Sequence, residues 1–496
     1  MIRLRNVTFR YDSAGAPALR DLSLEIRAGE SVCIMGANGC GKSTLARILA
    51  GLLKVSQGEF VLTGVTDRPI PVGILFQNPD NQMVAVTVEK EIAFALENLA
   101  VPFEEMDARV GATLKRFGIE HLRTRLTSEL SGGEKQRVAL ASVMICKPPV
   151  LVLDEPDSFL DARGRVALRE EEEQIRHENA DMILVRITQY PSVAKRYQRL
   201  IVLDRGRVAA DGPPQEILAD RSFRHKTGLC YQSDGVPVEL PQPLRRLSGR
   251  NSLVHRLAAD AVSFAYADGR TVLKNLTITL NGGETVGLVG ATGSGKSTFG
   301  HLLCGLLRPS GGSLDYYDAD GKEVDIALIR GQISGVFQQP ERQFFLPTCA
   351  EEIAFGPRNL GLSITTEEVT ALFDLVGLDA KVFAERDPFT LSMGEKRRLA
   401  FAAVLSMSPQ FIVFDEPTCG LDPAGVGRFI KMARTLRQLG VGLVVISHDG
   451  TLINAVADKV LHFRGVGEYH HCSCREFFES DENASILTPV DGQYAG

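Results

Sequence analysis

An internal repeat constrains the fold of this chain more than any other feature of its sequence. Three segments of the first half return in the second half in the same order: 7–11 as 262–266, 36–44 as 290–298, and 130–135 as 391–396. The spacing between the segments is nearly the same in both halves. Several matches at an almost constant offset do not arise by chance, so the sequence predicts two copies of one domain.

The repeat sets the predicted domain organisation. We predict a first domain at residues 1–225, a linker at 226–256, a second domain at 257–480 and a C-terminal tail at 481–496. The linker carries glycine, serine and a proline-rich run at 236–243, which is typical of an extended, semi-rigid connection.

Composition excludes several classes of protein. With 44% hydrophobic and 23% charged residues the chain can build large cores, so it is neither disordered nor fibrous. The formal net charge of −6 provides no bulk positive field, and no nucleic-acid partner is expected. The apolar runs are too short to span a membrane, and the N-terminus has no signal-peptide core. Nine scattered cysteines suit a reducing compartment, which predicts a cytosolic protein.

In each copy, short β-branched runs alternate with longer helical stretches, a pattern typical of a mainly parallel sheet covered by helices. The predicted buried strands are 32–35, 150–154 and 183–187 in the first copy and 286–289, 411–415 and 443–446 in the second. Helical runs are predicted at 45–53 and 299–307, and four glutamates at 170–173 are typical of a solvated helix face. Each copy is therefore predicted to be an α/β domain.

Both copies carry the pattern G-x-x-x-x-G-K-[ST] between a predicted strand and a predicted helix. Such a loop curls backbone N–H groups around phosphate oxygens, adds a helix N-terminus and a lysine, and offers a hydroxyl to Mg²⁺. An ordinary glycine-rich turn is the alternative, but the pattern occurs twice in this context. The predicted phosphate-binding residues are Gly36, Asn38, Gly39, Gly41, Lys42, Ser43 and Thr44, and Gly290, Thr292, Gly293, Gly295, Lys296, Ser297 and Thr298.

Two carboxylates follow a buried strand in each copy: Asp154 with Glu155, and Asp415 with Glu416. The first acid of each pair is predicted to hold Mg²⁺ together with Ser43 or Ser297. The second is predicted to orient or deprotonate an attacking water. Acids at strand ends are otherwise common as helix caps or surface groups, but the phosphate loop upstream favours the catalytic interpretation.

A Ser-x-x-Glu pattern with internal glycine also occurs twice, and by itself it predicts a capping box at a helix start. Glycine is not needed for such a cap, whereas close approach of the backbone to an anion favours it. We therefore expect these segments to touch a phosphate through Ser131, Gly132 and Gly133, and through Ser392 and Gly394.

With these motifs, nearly the whole chain resembles the ATP-binding subunits of ABC transporters, with two nucleotide-binding domains fused. The resemblance implies a P-loop fold with a RecA-like parallel-sheet core, a small antiparallel β subdomain and a helical subdomain in each copy, and it implies ATP and Mg²⁺. It also implies adenine stacking by Tyr11 and Tyr266, contact with Mg²⁺ and a transport partner by Gln77 and Gln338, and a reach between domains by Asp161 and Asp422.

Segments 76–82 and 337–343, with 91–94 and 352–361, further resemble the glutamine region of energy-coupling factor importers, which take up vitamins or cobalt and nickel ions. That resemblance implies two partners, a membrane coupling protein and a small membrane protein that captures substrate. It places the chain at the cytoplasmic face of a prokaryotic membrane. The alternatives are a fused ATPase of another importer, such as one for sugars, or a soluble twin ATPase on ribosomes or DNA. The linker contains no arm or insertion of the kind the soluble class needs.

The two copies differ at two positions of the ABC pattern. The second copy has the expected histidine, His448, where the first copy has Gln189, and Met393 replaces a glycine in the second Ser-x-x-Glu segment. Glutamine cannot become an imidazolium near a transferring phosphate. If the copies close head to tail around ATP as an intramolecular pseudo-dimer, both departures fall on the site of Lys42, Glu155 and Gln189. We therefore predict that the site of Glu416 and His448 does most of the hydrolysis.

Overall fold

The computed structural model describes residues 1–11, 16–64, 72–157, 160, 162–230, 254–325, 329, 331–480 and 487. The chain divides into two compact units, Met1–Cys230 and Tyr231–Gly496. Most of the predicted linker and tail, at 231–253, 481–486 and 488–496, lies outside the described residues. At the near end of the predicted linker, Leu229 is buried in the core of the first unit.

The first unit is built from nine strands and eight helices among its described residues. Its strands are β1 Ile2–Phe9, β2 Leu19–Ile26, β3 Ser31–Met35, β4 Gln57–Leu62, β5 Gly73–Leu75, β6 Val150–Asp154, β7 Ile183–Ile187, β8 Arg199–Asp204 and β9 Arg207–Gly212. Its helices are α1 Lys42–Leu49, α2 Val88–Asn98, α3 Phe103–Arg116, α4 Gly132–Met144, α5 Ala162–Glu178, α6 Pro191–Ala194, α7 Pro214–Ala219 and α8 Arg221–Lys226.

Among its described residues, the second unit follows the same strand order, with four helices instead of three between its fifth and sixth strands and one instead of two after its last strand. Its strands are β10 Arg256–Ala265, β11 Thr271–Asn281, β12 Thr285–Gly290, β13 Gly311–Tyr317, β14 Ile333–Val336, β15 Phe411–Asp415, β16 Gly442–Ile446, β17 Lys459–Gly465 and β18 Glu468–Ser473. Its helices are α9 Lys296–Leu303, α10 Cys349–Asn359, α11 Thr366–Val376, α12 Ala380–Phe383, α13 Met393–Ser406, α14 Pro423–Gln438, α15 Gly450–Val456 and α16 Cys474–Glu479.

Each unit contains a six-stranded sheet and a three-stranded sheet. The larger sheets have the order β5-β6-β7-β3-β8-β9 and β14-β15-β16-β12-β17-β18 and are parallel except for their last strand. The smaller sheets, β2-β1-β4 and β11-β10-β13, are antiparallel. The predicted fold class, two tandem P-loop domains with these sheets and a helical part, is confirmed.

The large sheet of the first unit is buried on both faces. All five residues of β3 are buried, and their side chains alternate between two clusters. Val32 and Ile34 pack with α1 and the small sheet, whereas Cys33 and Met35 pack with the helices on the other face. Strands covered on both faces read as continuous apolar runs, which is why the sequence revealed them.

The predicted helices at 45–53 and 299–307 differ from the observed ones at both ends. Helix α1 covers Lys42–Leu49 and α9 covers Lys296–Leu303, so both begin earlier and end four residues sooner than predicted. Gly51 and Gly305 follow the two C-caps with positive φ, and a left-handed glycine at that position ends a helix. Among the described residues, the structure contains no helix whose length and hydropathy would let it cross a membrane.

Candidate active site

The predicted phosphate loops connect β3 to α1 and β12 to α9, at the carboxyl ends of central parallel strands. Ligands of open α/β sheets bind at this edge. Gly41 and Gly295 immediately precede the helices with φ of 106° and 102°. A Cβ at Gly41 would lie 2.7 Å from the carbonyl oxygen of Ala18, so only glycine fits there.

A buried lysine lies inside each loop. The Lys42 ammonium donates hydrogen bonds to the carbonyls of Gly36 at 2.9 Å and Ala37 at 3.1 Å. Lys296 repeats this with Gly290 at 2.8 Å and Ala291 at 2.7 Å. Each loop therefore holds its own cation beside the helix N-terminus, an arrangement that favours an anion in the loop.

Two of the predicted metal ligands, a serine and an aspartate, lie together in each unit. Ser43 hydrogen-bonds the carboxylate of Asp154, and Ser297 does the same with Asp415. Burial raises the pKa of both aspartates above the usual range, while the serine hydroxyls and the neighbouring cations lower it. Oδ1 of Asp154 is buried without a hydrogen-bond partner among the described residues. A carboxylate with an unsatisfied oxygen beside a hydroxyl fits Mg²⁺, which takes oxygen ligands.

Glu155 and Glu416 adopt the same unusual backbone conformation. Their φ angles are 45° and 48°, in the left-handed region that non-glycine residues rarely enter. The N–H of Glu155 donates to the carbonyl of Ile187 at 3.1 Å, and that of Glu416 donates to Ile446 at 2.9 Å. These bonds fix each glutamate at the end of its strand, directly beside the neighbouring strand.

The carboxylates of these glutamates have different neighbours in the two units. Glu155 accepts a hydrogen bond from Nε2 of Gln77 at 3.1 Å and lies 3.9 Å from the Lys42 ammonium. Glu416 accepts from Oγ of Ser447 at 3.3 Å, and its Oε1 lies 3.7 Å from Nε2 of His448. An amide and a lysine thus lie beside the glutamate of the first unit, and a hydroxyl and an imidazole lie beside that of the second.

Gln189 lies where the second unit has His448. It is buried, and its Oε1 has no hydrogen-bond partner among the described residues. A buried amide oxygen left unpaired costs free energy unless a donor arrives. The structure thus brings Gln189 to the edge of the first site with an acceptor still available.

The predicted adenine-stacking residues lie next to the phosphate loops. Tyr11 and Tyr266 are among the exposed large side chains, and their hydroxyls lie 3.0 and 3.1 Å from Oγ1 of Thr44 and Thr298. The Tyr11 ring also makes an edge-to-face contact with Phe9 of β1, and the Tyr266 ring makes the same contact with Phe264 of β10. An exposed ring face beside the loop is available for stacking, and the stacking itself stays a prediction.

Ser131 and Ser392 are the N-caps of α4 and α13, and each forms a capping box with a glutamate, Glu134 or Glu395. Gly132 and Gly133, or Met393 and Gly394, make up the first helical positions. A Cβ at Gly420 would lie 3.0 Å from Cγ of Met393, so the methionine side chain packs beside Gly420 of its own unit. The capping interpretation is confirmed, and the phosphate contact stays a prediction.

The structure describes two of the remaining predicted site residues, Gln338 and Asp422. Gln338 follows β14, and its backbone carbonyl is bound by a buried arginine, Arg397. Asp422 is the N-cap of α14 and accepts from the N–H of Gly425 at 2.7 Å. Asp161 lies outside the described residues.

From the sequence, no role was assigned to the buried glutamate that begins each of the segments 91–94 and 352–361. Glu91 accepts hydrogen bonds from the N–H groups of Val84 at 2.9 Å and Ala85 at 2.7 Å. Glu352 accepts from the same positions of the second unit, Phe345 and Leu346. Each carboxylate fixes the loop that leads from the glutamine to the next helix. The available signal was an acid at the same place in both copies.

A second missed feature is an ionic cluster in the first unit. Arg186 lies on β7 and pairs with Asp157, Nη2 to Oδ2 at 2.8 Å, and with Glu172. The Tyr197 hydroxyl donates to the same glutamate at 2.9 Å. Glu172 is buried, so the prediction of a solvated face for 170–173 is wrong at this position. The signal was a charged residue within an otherwise apolar strand.

A cavity of about 520 Å³ opens beside the glutamine segment of the second unit. Phe345 and Phe355 line it with edge-to-face rings 4.8 Å apart, together with Met407 and Tyr316. Both phenylalanines are exposed large apolar side chains, which are uncommon on a surface that has no partner.

Comparisons with known proteins give a consistent picture. The family model described as ABC transporter matches residues 19–158 and 273–419. A protein of Caldanaerobacter subterraneus subsp. tengcongensis, provisionally named ABC transporter ATP-binding protein, is 30% identical. The match covers 98% of this chain and 94% of that protein. A Bacillus subtilis protein, provisionally named HMP/thiamine import ATP-binding protein YkoD, is 32% identical. The match covers 99% of this chain and 95% of that protein.

Among solved structures, cbiO1 from Clostridium perfringens, described as part of the ABC transporter complex cbiONQ, is 32% identical. The match covers 46% of this chain and 94% of that chain, with a TM-score of 0.40.

Proposed function

The chain belongs to the ABC transporter family, and from that premise we propose that it is the motor subunit of an energy-coupling factor importer for a vitamin or transition-metal ion. It is an ABC ATPase with two tandem domains that uses ATP and Mg²⁺. The observation that carries the proposal is the glutamine segment at 76–82 and 337–343, which occurs in both copies. The relative named for HMP/thiamine import, matched over 99% of the chain, supports import of a vitamin precursor.

The residues of the second unit have the roles that hydrolysis requires. Lys296 and the N–H groups of its loop bind and orient the phosphates of ATP. Ser297, Gln338 and Asp415 would hold Mg²⁺, which supplies positive charge against the phosphate oxygens when bound. Glu416 accepts the proton of the attacking water, and His448 stands beside it, 3.7 Å from its carboxylate. In the first unit Ser43, Gln77 and Asp154 correspond to the metal ligands.

We assign unequal work to the two units. In the proposed head-to-tail pseudo-dimer, each phosphate loop receives the Ser-x-x-Glu segment of the other unit. The site with His448 then receives Ser131, Gly132 and Gly133, whereas the site with Gln189 receives Ser392, Met393 and Gly394. Glu155 is retained, so the first site holds nucleotide and turns over more slowly.

The proposed partners are a membrane coupling protein and a small membrane capture protein, which place the chain at the cytoplasmic face of a prokaryotic membrane. The apolar cavity of Phe345, Phe355 and Met407 supports this, because it lies beside the glutamine segment expected to sense the partner. An apolar helix of the coupling protein would cover the exposed rings. A shift in that helix would then reach Gln338 through the same loop.

Three measurements test the proposal. The chain is purified in mild detergent from cells that express it with its native membrane proteins, and we expect one coupling protein and a small capture protein to copurify. Sedimentation with ribosomes or DNA at moderate salt, without a membrane partner, would contradict the importer function. In the purified chain, Lys296→Ala should abolish most ATP hydrolysis, whereas the exposed Lys322→Ala should retain it.

A further inference from the structure

Arg397 is a fully buried charged residue in the second unit, with no exposed surface. It lies on α13, one helical turn beyond Met393. Its Nη1 donates to the carbonyl of Asp415 at 3.1 Å and to that of Phe337 at 3.4 Å, and its Nη2 donates to the carbonyl of Gln338 at 2.8 Å. The two Nη groups of the buried guanidinium therefore bind backbone carbonyls of two other segments, while its Nε has no hydrogen-bond partner among the described residues.

Those segments are the ones that carry the proposed metal ligands. Phe337 and Gln338 follow β14, and Asp415 ends β15. A guanidinium is a rigid planar fork, and hydrogen bonds from a charged donor are stronger than neutral ones. One side chain thus fixes the distance between the glutamine segment and the end of β15, and ties both to the helix that Ser392 caps.

The first unit lacks this device. Gln136 occupies the corresponding position of α4, one residue after the repeated segment 130–135. It is buried as well, but its Nε2 has no hydrogen-bond partner among the described residues. The carbonyls at the first site therefore receive neither the charge nor the fork that Arg397 supplies in the second.

We infer that Arg397 is a positioning residue for Mg²⁺ and nucleotide in the second site, where it holds Gln338 and Asp415 in register. The inference rests on the proposed assignment of these two residues to the metal. Besides His448 and Met393, Arg397 is a third residue at which the two units differ. It contacts the backbone of the proposed metal ligands. It also couples the helix start at Ser392 to the metal ligands of its own unit.

The test measures metal binding directly in the full chain. Asp154→Asn silences the first site, and Mn²⁺ replaces Mg²⁺ with the β,γ-imido analogue of ATP, so that electron paramagnetic resonance counts bound metal. Adding Arg397→Gln, which copies the first unit, should raise the Kd for Mn²⁺ about tenfold, as expected for loss of a group that orients metal ligands. Arg397→Lys keeps the charge and should recover part of the affinity.

Gln136→Met is the matched control, because it changes the same position of the first unit and should leave the Kd unchanged. An unchanged Kd in Arg397→Gln would overturn the inference, even if that variant unfolds at a lower temperature. If Arg397→Gln does not fold, Arg397→Lys decides, and an unchanged Kd there also overturns it. Asp415→Asn tests the metal assignment separately. If this variant retains tight Mn²⁺ binding, the assignment of Asp415 as a metal ligand is refuted rather than the role of Arg397.

Discussion

The ionic cluster of the first unit allows a quantitative prediction for Arg186→Met. The cluster contains one cation, Arg186, and two carboxylates, Asp157 and Glu172, and all three are buried. Methionine has a similar length but no charge, so the substitution leaves two carboxylates in the interior without a cation. We expect a large loss of stability in the first unit.

The size of the loss follows from the burial of the cluster. Breaking a buried pair by removing one partner costs about 3–5 kcal/mol, because the remaining charge is left uncompensated. For a domain of this size, 1 kcal/mol corresponds to about 2–4 °C in Tm. The first unit of Arg186→Met should therefore unfold roughly 6–20 °C below the wild type.

Neutralising the whole cluster should reverse most of this loss. The second unit shows that the fold does not need the charges, because Val445 pairs with β15 where Arg186 pairs with β6, and Thr418 corresponds to Asp157. Replacing a complete buried ionic cluster by hydrophobic residues of similar volume is often neutral or stabilising, and Asn and Gln likewise remove the buried charges while keeping the side-chain shape. The triple variant Arg186→Met, Asp157→Asn, Glu172→Gln should therefore be markedly more stable than the single variant.

Differential scanning calorimetry of the full chain measures both effects, with the transition of the first unit identified by its shift on ATP-site substitution at Lys42. Two results would refute the reasoning. The first is a drop of less than about 3 °C in Arg186→Met, which would mean that the carboxylates are not trapped in the interior. The second is a triple variant no more stable than the single one.

Three further predictions concern hydrolysis, pH dependence and helix capping. In single-turnover hydrolysis, Glu416→Gln should lose most of the activity and Glu155→Gln much less; equal losses would reject the proposed asymmetry. Burial lowers the pKa of His462 to about 4 from its ordinary 6.5, so the unfolded chain takes up a proton that the folded chain does not as the pH falls from 6.5 to 4. The stability of the second unit, measured as its urea midpoint, should therefore fall between pH 6.5 and pH 4. The variant His462→Val introduces the residue found at this position of the first unit and should reduce the fall. Identical pH profiles of the two proteins would contradict this prediction. Thr365 caps α11 in a capping box, so Thr365→Ala should cost about 1 kcal/mol by urea unfolding, whereas the exposed Thr370→Ala should cost less.

Much of the fold could be read from the sequence because it is encoded in consecutive residues. The runs at 150–154 and 411–415, apolar up to their final aspartates, match β6 and β15 residue for residue, since a strand covered on both faces is almost entirely apolar. The phosphate loops could be recognised from their glycines, because the positive φ at Gly41 and Gly295 favours that residue. The helix starts at Ser131 and Ser392 could be recognised from the Ser-x-x-Glu pattern, which forms a capping box in each unit. The repeat then applied each local prediction twice.

The contacts behind these motifs could not be read, because they join residues far apart in the chain. Gln77 reaches Glu155 in the first unit, whereas Ser447 and His448 reach Glu416 in the second. Sheet pairing decides this, since β6 lies between β5 and β7 and β15 lies between β14 and β16, and each of these strands is separated from the next by helical segments of the chain.

The sequence by itself therefore determined two ATPase domains, their phosphate loops and their acidic pairs, since each is a property of adjacent residues. Only the tertiary structure decided that Arg186 pairs with two acids in one unit and that Arg397 binds three carbonyls in the other. A buried charge is tolerated only where the fold brings partners to it, and those partners come from separate strands and helices.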